Sequence, residues 1–416
     1  MCHPQGAGAG ELAVTQALYY LNLLFLAYFV LVNGIYLLLV LLSSPVMMRQ
    51  VRMSLVTKRG ITFSDSFCEP VTVIIPAHNE AATIADSVSS VLAVRYPEME
   101  VVVVNDGSTD ETLEELTQSF GLVPSAVTAH YETPCGEIRG MYESVTCPGL
   151  QVVDKERGGK ADALNAGINA STFPLVCSID ADSIIDARSI VRITRPFLED
   201  HRVVAAGGVV MLANGCDIEK GEVKQARVAR SWLAKFQTIE YLRAFLFGRV
   251  GWSRLNSLMI VSGAFSIFRR TALIEVGGYC VDSVGEDMEI VLRMHRVFTD
   301  RNRAYRVVFV PDPICWTHAP ETLKGLSAQR RRWQRGLADS LVRNRQLCLN
   351  PKYGGVGLVG YPFFLAGEML SPLVELLGYA VIVAAILLHA ISWQLSLGIL
   401  AIALLLAAIS TMTALL

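Results

Sequence analysis

The sequence predicts an α/β protein: a mostly parallel sheet with helices on both faces, carried between membrane-spanning helices. Three observations carry that prediction. Short β-branched runs alternate with helical patterns between residues 70 and 180. Each of those runs ends in polar, mainly acidic residues. Long apolar blocks stand at both ends of the chain.

The N-terminal block comes first. From Leu12 to Met48 there is no Asp, Glu, Lys or Arg. A single span needs about 20 apolar residues, so the run is ample for one helix and barely long enough for two. Asn33-Gly34 is a weak interruption, and one long helix over about residues 19–42 is expected. A basic leader segment is missing and the apolar core is long, which argues against a cleaved signal peptide.

The strands follow. Val71–Pro76, Glu100–Asn105 and Leu175–Ile179 are rich in β-branched residues. Between the first two, Asn79–Val94 places Ile84, Val88, Val91 and Leu92 at helical spacing. Glu111–Phe120 and Gly159–Ala170 read as helices before the third strand. Val261–Phe268 is a further strand-like run, and an amphipathic helix carrying Met288, Ile290, Val291 and Met294 follows Gly285. Trp232–Arg254 mixes Trp232, Phe236, Ile239 and Phe245 with Arg230, Lys235, Arg243 and Arg249, the pattern of a helix lying at a membrane interface over about residues 230–256. The C-terminal block, residues 351–416, is expected to hold an interface segment interrupted at Tyr361-Pro362. Two spans follow, over about residues 368–388 and 395–416. The apolar run continues to the last residue, so a further span beyond it is expected.

Composition agrees with a membrane protein. Of 416 residues 52% are hydrophobic and 18% charged, against about 25% charged in an ordinary soluble domain. The net charge of −2 excludes a broad basic surface for nucleic acid. Nine cysteines without a C-x-x-C pair exclude a paired zinc framework and read as mostly buried thiols in a reducing compartment.

In parallel sheets ligands sit beyond the carboxyl ends of the strands. Val71–Pro76 runs into Ala77-His78-Asn79-Glu80, Val101–Asn105 into Asp106-Gly107-Ser108, and Leu175–Ile179 into Asp180-Ala181-Asp182. A lone carboxylate after a strand is usually a helix N-cap. Three such sites on one sheet converge on one crevice. Two carboxylates spaced as Asp180 and Asp182 can share a divalent cation such as Mg²⁺ or Mn²⁺ with a diphosphate. Gly158-Gly159-Lys160 opens a helix where a cation and free N–H groups can meet a phosphate; a surface turn reads the same way. Asp287 is an N-cap on spacing alone, and a base only if an acceptor hydroxyl reaches it. Gln329-Arg330-Arg331-Arg332-Trp333 is topology-setting charge or, with its Trp, a pocket wall beside a phosphate clamp.

Taken in order, Val71–Glu80, Asp106-Gly107-Ser108, Gly159-Lys160, Asp180-x-Asp182, Gly285-Glu286-Asp287 and Gln329-x-x-Arg332-Trp333 resemble the motifs of family 2 glycosyltransferases. The resemblance is to the membrane-embedded processive branch, the cellulose, chitin, hyaluronan and poly-N-acetylglucosamine synthases, and covers about residues 70–335. It implies a GT-A fold that binds a UDP-sugar at the strand ends. Pro76, Ala77, Glu80 and Asp106 would hold the nucleotide, and Lys160 would lie near the diphosphate. Asp180 would touch the nucleotide and, with Asp182, hold Mg²⁺ or Mn²⁺. Asp287, with Glu286 beside it, would be the base for in-line, inverting attack. Gln329, Arg332 and Trp333 would hold the diphosphate and line the acceptor site, and Gly263 would leave room for the acceptor. Gly285 stands where many relatives carry Thr.

Basic residues Arg49, Arg52, Lys58 and Arg59 follow the first span, and Arg330–Lys352 precedes the second block. By the positive-inside rule the body at residues 50–350 faces the cytosol, and the N-terminus lies on the far side of a plasma or inner membrane. The expected partners are a UDP-sugar, a polysaccharide or lipid acceptor and membrane lipids, with an export partner or a second copy of the chain completing a channel; nucleic acid is not among them. A single-transfer glycolipid enzyme and a non-catalytic sugar-nucleotide-binding subunit are the alternatives.

Overall fold

The computed structural model describes residues 9–57, 68–126, 129–219 and 222–388, with isolated positions at 398, 401 and 405. The span expected over residues 395–416 lies outside the described residues.

Apolar runs buried on both faces form the centre of the sheet and less buried segments extend it, giving twelve described strands between residues 71 and 317. They are β1 (Val71–Ala77), β2 (Met99–Asp106), β3 (Leu122–Pro124), β4 (Ile138–Ser144), β5 (Leu150–Lys155), β6 (Leu175–Ile179), β7 (Ile184–Ile185) and β8 (Val203–Leu212). A hairpin of β9 (Asp217–Glu219) and β10 (Glu222–Gln225) stands apart, and β11 (Phe265–Arg269) and β12 (Arg306–Thr317) complete the set. Ten of them form one sheet in the order β3-β4-β5-β2-β1-β6-β11-β8-β12-β7. Its centre, β5-β2-β1-β6, is parallel, as is β8-β12, while β11 runs antiparallel to both β6 and β8. That reversal brings the start of β11 to the carboxyl end of β6, since Phe265 pairs with Ile179.

Twelve helices are described: α1 (Ala9–Thr57), α2 (Ile84–Leu92), α3 (Thr112–Phe120), α4 (Lys160–Ala170), α5 (Ser189–Glu199), α6 (Trp232–Leu242), α7 (Val250–Arg254), α8 (Arg270–Glu275), α9 (Glu286–Asp300), α10 (Leu323–Arg343), the single turn α11 (Tyr361–Phe363) and α12 (Ser371–Leu387). Ile84, Val88 and Val91 of α2 are buried at their expected helical spacing. That helix starts later than the pattern suggested. Asn79 has a left-handed φ of 58°, and its side chain accepts a hydrogen bond from the Thr109 N–H, so the chain turns before it coils. In α4 every residue after Lys160 is buried, and Gly167 lies so close to Ile74 that a β-carbon would collide with it.

The strand expected from Val261 begins only at Phe265. Three of its first four residues give their carbonyls to other partners: Val261 to Arg249, Gly263 to Lys160, and Ala264 to the Asp180 N–H. The expected interfacial helix is α6 and α7 joined through a π-helical segment, Arg243–Arg249. Trp232 is 72% exposed and Phe236 66%, whereas Phe245 is buried, so this helix divides its apolar residues between the core and the outside.

α1 is one unbroken helix longer than the expected 19–42, and within it Ala13–Arg49 is long and apolar enough to cross a membrane. The segments Val356–Met369 and Ser371–Leu387 pass the same test as a pair bent by 54°. Polar groups knit the two blocks: Tyr28 donates to the Ala366 carbonyl and Tyr36 to Glu368 Oε1 at 2.6 Å. Gly251 of α7 abuts the Leu39 backbone, and Tyr361 donates to the Leu341 carbonyl. The apolar blocks are thereby fastened to the α/β body. The eight described cysteines are all free.

Candidate functional site

The first strand end, after β1, is a tied loop. Ala77 is 2% exposed, so only its backbone and that of half-buried Pro76 are on offer. The Glu80 N–H donates to Thr112 Oγ1, and Glu80 Oε2 accepts from Thr83.

Asp106, at the end of β2, is 4% exposed. Its carboxylate accepts from Lys155 Nζ at 2.8 Å and from the Gly158 and Gly159 N–H groups at 2.9 and 2.7 Å. The Asp106 carboxylate thereby holds the glycine turn that launches α4. Lys155 is fully buried and pairs with both Asp106 and Asp162. Burial opposes its charge, but the two carboxylates outweigh burial and hold the ammonium above its ordinary value. Asp162 in turn accepts from the Gly136 N–H.

Gly159 precedes α4 with φ 89°, a conformation glycine alone adopts without strain. Lys160 then reaches across the sheet. Its ammonium lies 2.5 Å from Asp180, 3.6 Å from Glu286 and 3.0 Å from the Gly263 carbonyl, to which it donates. Burial again works against its charge, and Asp180 and Glu286 more than compensate, so Lys160 stays protonated. A β-carbon on Gly263 would stand 3.2 Å from Asp287 Oδ2 and 3.4 Å from Lys160 Nζ. Lys160, Asp180, Gly263, Glu286 and Asp287 thus share one crevice.

Asp182 is exposed as a residue, yet enclosure of its carboxyl and the charge of Asp180 hold it above the usual carboxylate range; Lys160 and His318 oppose that. Glu286 and Asp287 occupy the first turn of α9, where the helix dipole favours negative charge. Burial, then the neighbouring Asp287, raises the Glu286 carboxyl. Asp287 Oδ1 accepts from the Met288 N–H.

α10 closes the other side. A cavity of about 570 Å³ is lined by His318, Ala319, Pro320, Ala328, Gln329 and Arg332. Gln329 Oε1 is buried there without a hydrogen-bond partner, and Arg332 has no ion-pair partner among the described residues. Trp333, 41% exposed, lies 6.2 Å from the Tyr241 ring, with the Arg330 guanidinium 4.5 Å over it and Arg330 itself paired to Glu240. α9 and α10 meet through bare backbone: a β-carbon on Gly285 would come within 2.7 Å of the Gly336 carbonyl oxygen. That contact accounts for glycine at position 285, where Thr has no room.

Sequence reasoning did not single out Lys155, Gly336 or His318. His318 was within reach, because it directly follows β12 just as Asp180 follows β6. Lys155 likewise ends an apolar strand, but its partners lie in separate elements.

A family model described as glycosyltransferase like family 2 matches residues 69–336, well over half of the chain. The chain belongs to that family. A second model, described as chitin synthase, matches residues 279–416. Among curated proteins, poly-β-1,6-N-acetyl-D-glucosamine synthase from Staphylococcus aureus (strain COL) is 30% identical over 299 residues, covering 71% of this chain and 61% of the relative. The Staphylococcus epidermidis counterpart is 29% identical over 277 residues, covering 66% and 56%. The chain therefore spans about three fifths of the length of these relatives. Among solved structures, a mannosyltransferase from Pyrobaculum calidifontis, in complex with GDP-mannose and Mn²⁺, aligns with a TM-score of 0.58 at 20% identity, covering 94% of this chain and 97% of that one. The fold is thus the GT-A-like α/β fold implied by the motifs.

Proposed function

We propose that this protein is an inverting glycosyltransferase that moves a sugar from a UDP-sugar to the hydroxyl of a growing β-linked polysaccharide at the cytosolic face of the membrane. The carrying observation is the crevice in which Lys160, Asp180 and Asp287 gather around Gly263, a position without a side chain. UDP-N-acetylglucosamine is the favoured donor, because the curated relatives are poly-β-1,6-N-acetyl-D-glucosamine synthases.

The residues divide the work. Pro76, Ala77 and Glu80 border the nucleotide through backbone and one carboxylate, while Asp106 shapes the floor of that pocket through the Gly158-Gly159 turn. Asp287 takes the proton of the acceptor hydroxyl, whose oxygen attacks the anomeric carbon as the bond to UDP breaks. Attack opposite the leaving group inverts the configuration. Lys160 and Arg332 absorb the charge that develops on the departing diphosphate. Gln329, with an unpartnered Oε1, and Trp333 wall the acceptor end.

Asp180 and Asp182 fit a divalent cation, Mg²⁺ or Mn²⁺, as hard oxygen donors beside the enclosed Lys160. Among the described residues no group of three or more His, Cys, Asp or Glu could hold a metal ion, so Asp180 and Asp182 would hold the cation only together with oxygen donors from outside the protein. The cation would supply charge neutralisation at the leaving diphosphate.

Two variants test this reading together. Asp287→Asn should abolish sugar transfer and leave UDP affinity within about twofold. Asp182→Ala should weaken Mn²⁺-dependent UDP binding by about tenfold or more. Turnover that survives the first, or binding unchanged in the second, contradicts the assignment. A single-transfer enzyme anchored in the membrane is the reading favoured by the described spans, two at most, and product length separates it from a polymerase.

A further inference from the structure

The pairing of β12 with β8 ends at Thr317, whose carbonyl accepts from the Ala213 N–H at 2.8 Å. The residues that follow have no strand to pair with among those described, yet their backbone is held. Asn214, 7% exposed, stands in for the missing partner. Its Oδ1 accepts from the Ala319 N–H at 2.7 Å, and its Nδ2 donates to the Ala319 carbonyl at 3.0 Å, the two bonds a ladder residue would make. Nδ2 also donates to Glu321 Oε1 at 2.9 Å, which uses both hydrogens of the amide. Gln237 of α6 then donates to the Pro320 carbonyl at 2.9 Å.

The residues pinned in this way are a wall of the cavity of about 570 Å³, with Gln329 and Arg332 of α10 lining it as well. Ala319 is buried and His318 exposed, the alternation of an extended chain, so holding Ala319 inward leaves His318 to line the cavity. His318 makes no hydrogen bond among the described residues. β12 also pairs with β7, Cys315 opposite Ile185 and Trp316 opposite Ile184. That antiparallel register carries the residues after Trp316 back along those before Ile184, toward the turn that holds Asp180 and Asp182. An imidazole and an unpaired guanidinium on one cavity suit an anionic, oxygen-rich ligand, and the buried Gln329 Oε1 suits a hydroxyl or amide hydrogen. A sugar diphosphate carries both.

We propose that His318 is a further contact to the sugar diphosphate, donating an imidazole N–H to one of its oxygens, and that Asn214 is the positioning residue that holds His318 in place. The inference rests on the reading of this site as one for a sugar nucleotide.

The test uses the full chain in detergent with UDP-N-acetylglucosamine and Mn²⁺. KM and kcat for UDP release, and a thermal melt, are measured for the wild type, His318→Ala, Asn214→Leu, Asn214→Asp and the double variant of His318→Ala with Asn214→Leu. His318→Ala should raise KM about fivefold and leave kcat within about twofold, as expected for one lost hydrogen bond. Asn214→Leu should raise KM by about five- to tenfold, and the double variant by no more than about tenfold, because both changes remove the same contact. Asn214→Asp keeps the acceptor for the Ala319 N–H but loses both donated bonds, so its KM should rise with that of Asn214→Leu. If Asn214→Leu does not fold, Asn214→Asp takes its place in the double variant. An unchanged KM in His318→Ala overturns the inference, whatever the melts show. So does a double variant whose KM rises by the product of the single effects, about 25-fold or more, since Asn214 would then act on the fold and not through His318. No UDP release by the wild type from any UDP-sugar would instead overturn the sugar-nucleotide reading itself.

Discussion

Gly263 is where the absence of a side chain has the most direct chemical consequence. A methyl group there would press on Asp287 Oδ2 and on Lys160 Nζ at once. Gly263→Ala should lower kcat by about tenfold or more, because small displacements of reacting groups are amplified in rate, while thermal stability changes little; an unchanged kcat would mean that the acceptor does not pass this point. Lys155 poses the opposite case, a residue whose removal should damage folding before chemistry. Lys155→Met leaves Asp106 and Asp162 buried without their cation and should destabilise the protein by about 3–5 kcal/mol, measured by denaturant unfolding of the detergent-solubilised chain. Both sites bear on what the sequence could reveal. The strand-end rule found Asp106, Asp180 and Glu80 because each lies at or just beyond the end of an apolar run. It could not tell that Asp106 is held by a buried lysine, since Lys155 stands 49 positions away in sequence.

At the scale of elements, the site depends on how closely α9 approaches α10. Gly285 and Gly336 let the two backbones touch, and Ser340 donates to the Gly285 carbonyl to seal the crossing. Gly336→Ala should push α10 away from α9 and cost about 1–3 kcal/mol, with a larger fall in transfer than in UDP binding, because Gln329–Trp333 would shift relative to Asp287. Parallel loss of binding and transfer would point to general unfolding. The order of strands and helices was legible because their apolar periodicities differ. Boundaries were less so. β11 is shorter than its β-branched run because Val261, Gly263 and Ala264 give their carbonyls to Arg249, Lys160 and Asp180, and no local pattern announces that. The antiparallel insertion of β11 between β6 and β8 was likewise invisible, since it joins segments far apart in the chain.

The whole molecule fastens its α/β body to the apolar blocks through polar contacts, and within that body a buried histidine makes stability sensitive to pH. His295 is fully buried, with Nε2 facing the Leu258 carbonyl and Nδ1 facing the Tyr305 hydroxyl. The carbonyl cannot donate, so Nε2 carries the proton and the ring is neutral. Burial lowers its pKa to about 4, against about 6.5 in an unfolded chain. The unfolded state therefore binds the proton first, and stability falls as pH drops from about 6.5 toward 4, by on the order of 3 kcal/mol. Unfolding of the wild type and His295→Asn across this range checks it: the variant should lose this component of the pH slope, and an equal slope in both would assign the acid sensitivity elsewhere. The apolar blocks were evident from composition alone. Their fastening to the body through Tyr36, Glu368 and Tyr361 was not, because each contact joins residues remote in sequence.

The central claim is that the crevice around Gly263 transfers a sugar from a nucleotide donor. The most direct test is UDP release by the purified chain given a panel of UDP-sugars with Mg²⁺ or Mn²⁺, followed by sizing of the product, with Asp287→Asn in parallel. Release from UDP-N-acetylglucosamine with a ladder of β-linked sugars, absent in the variant, is the result expected. Release that yields only a single lipid-linked sugar would contradict polymer synthesis, and no release from any UDP-sugar would contradict the account itself.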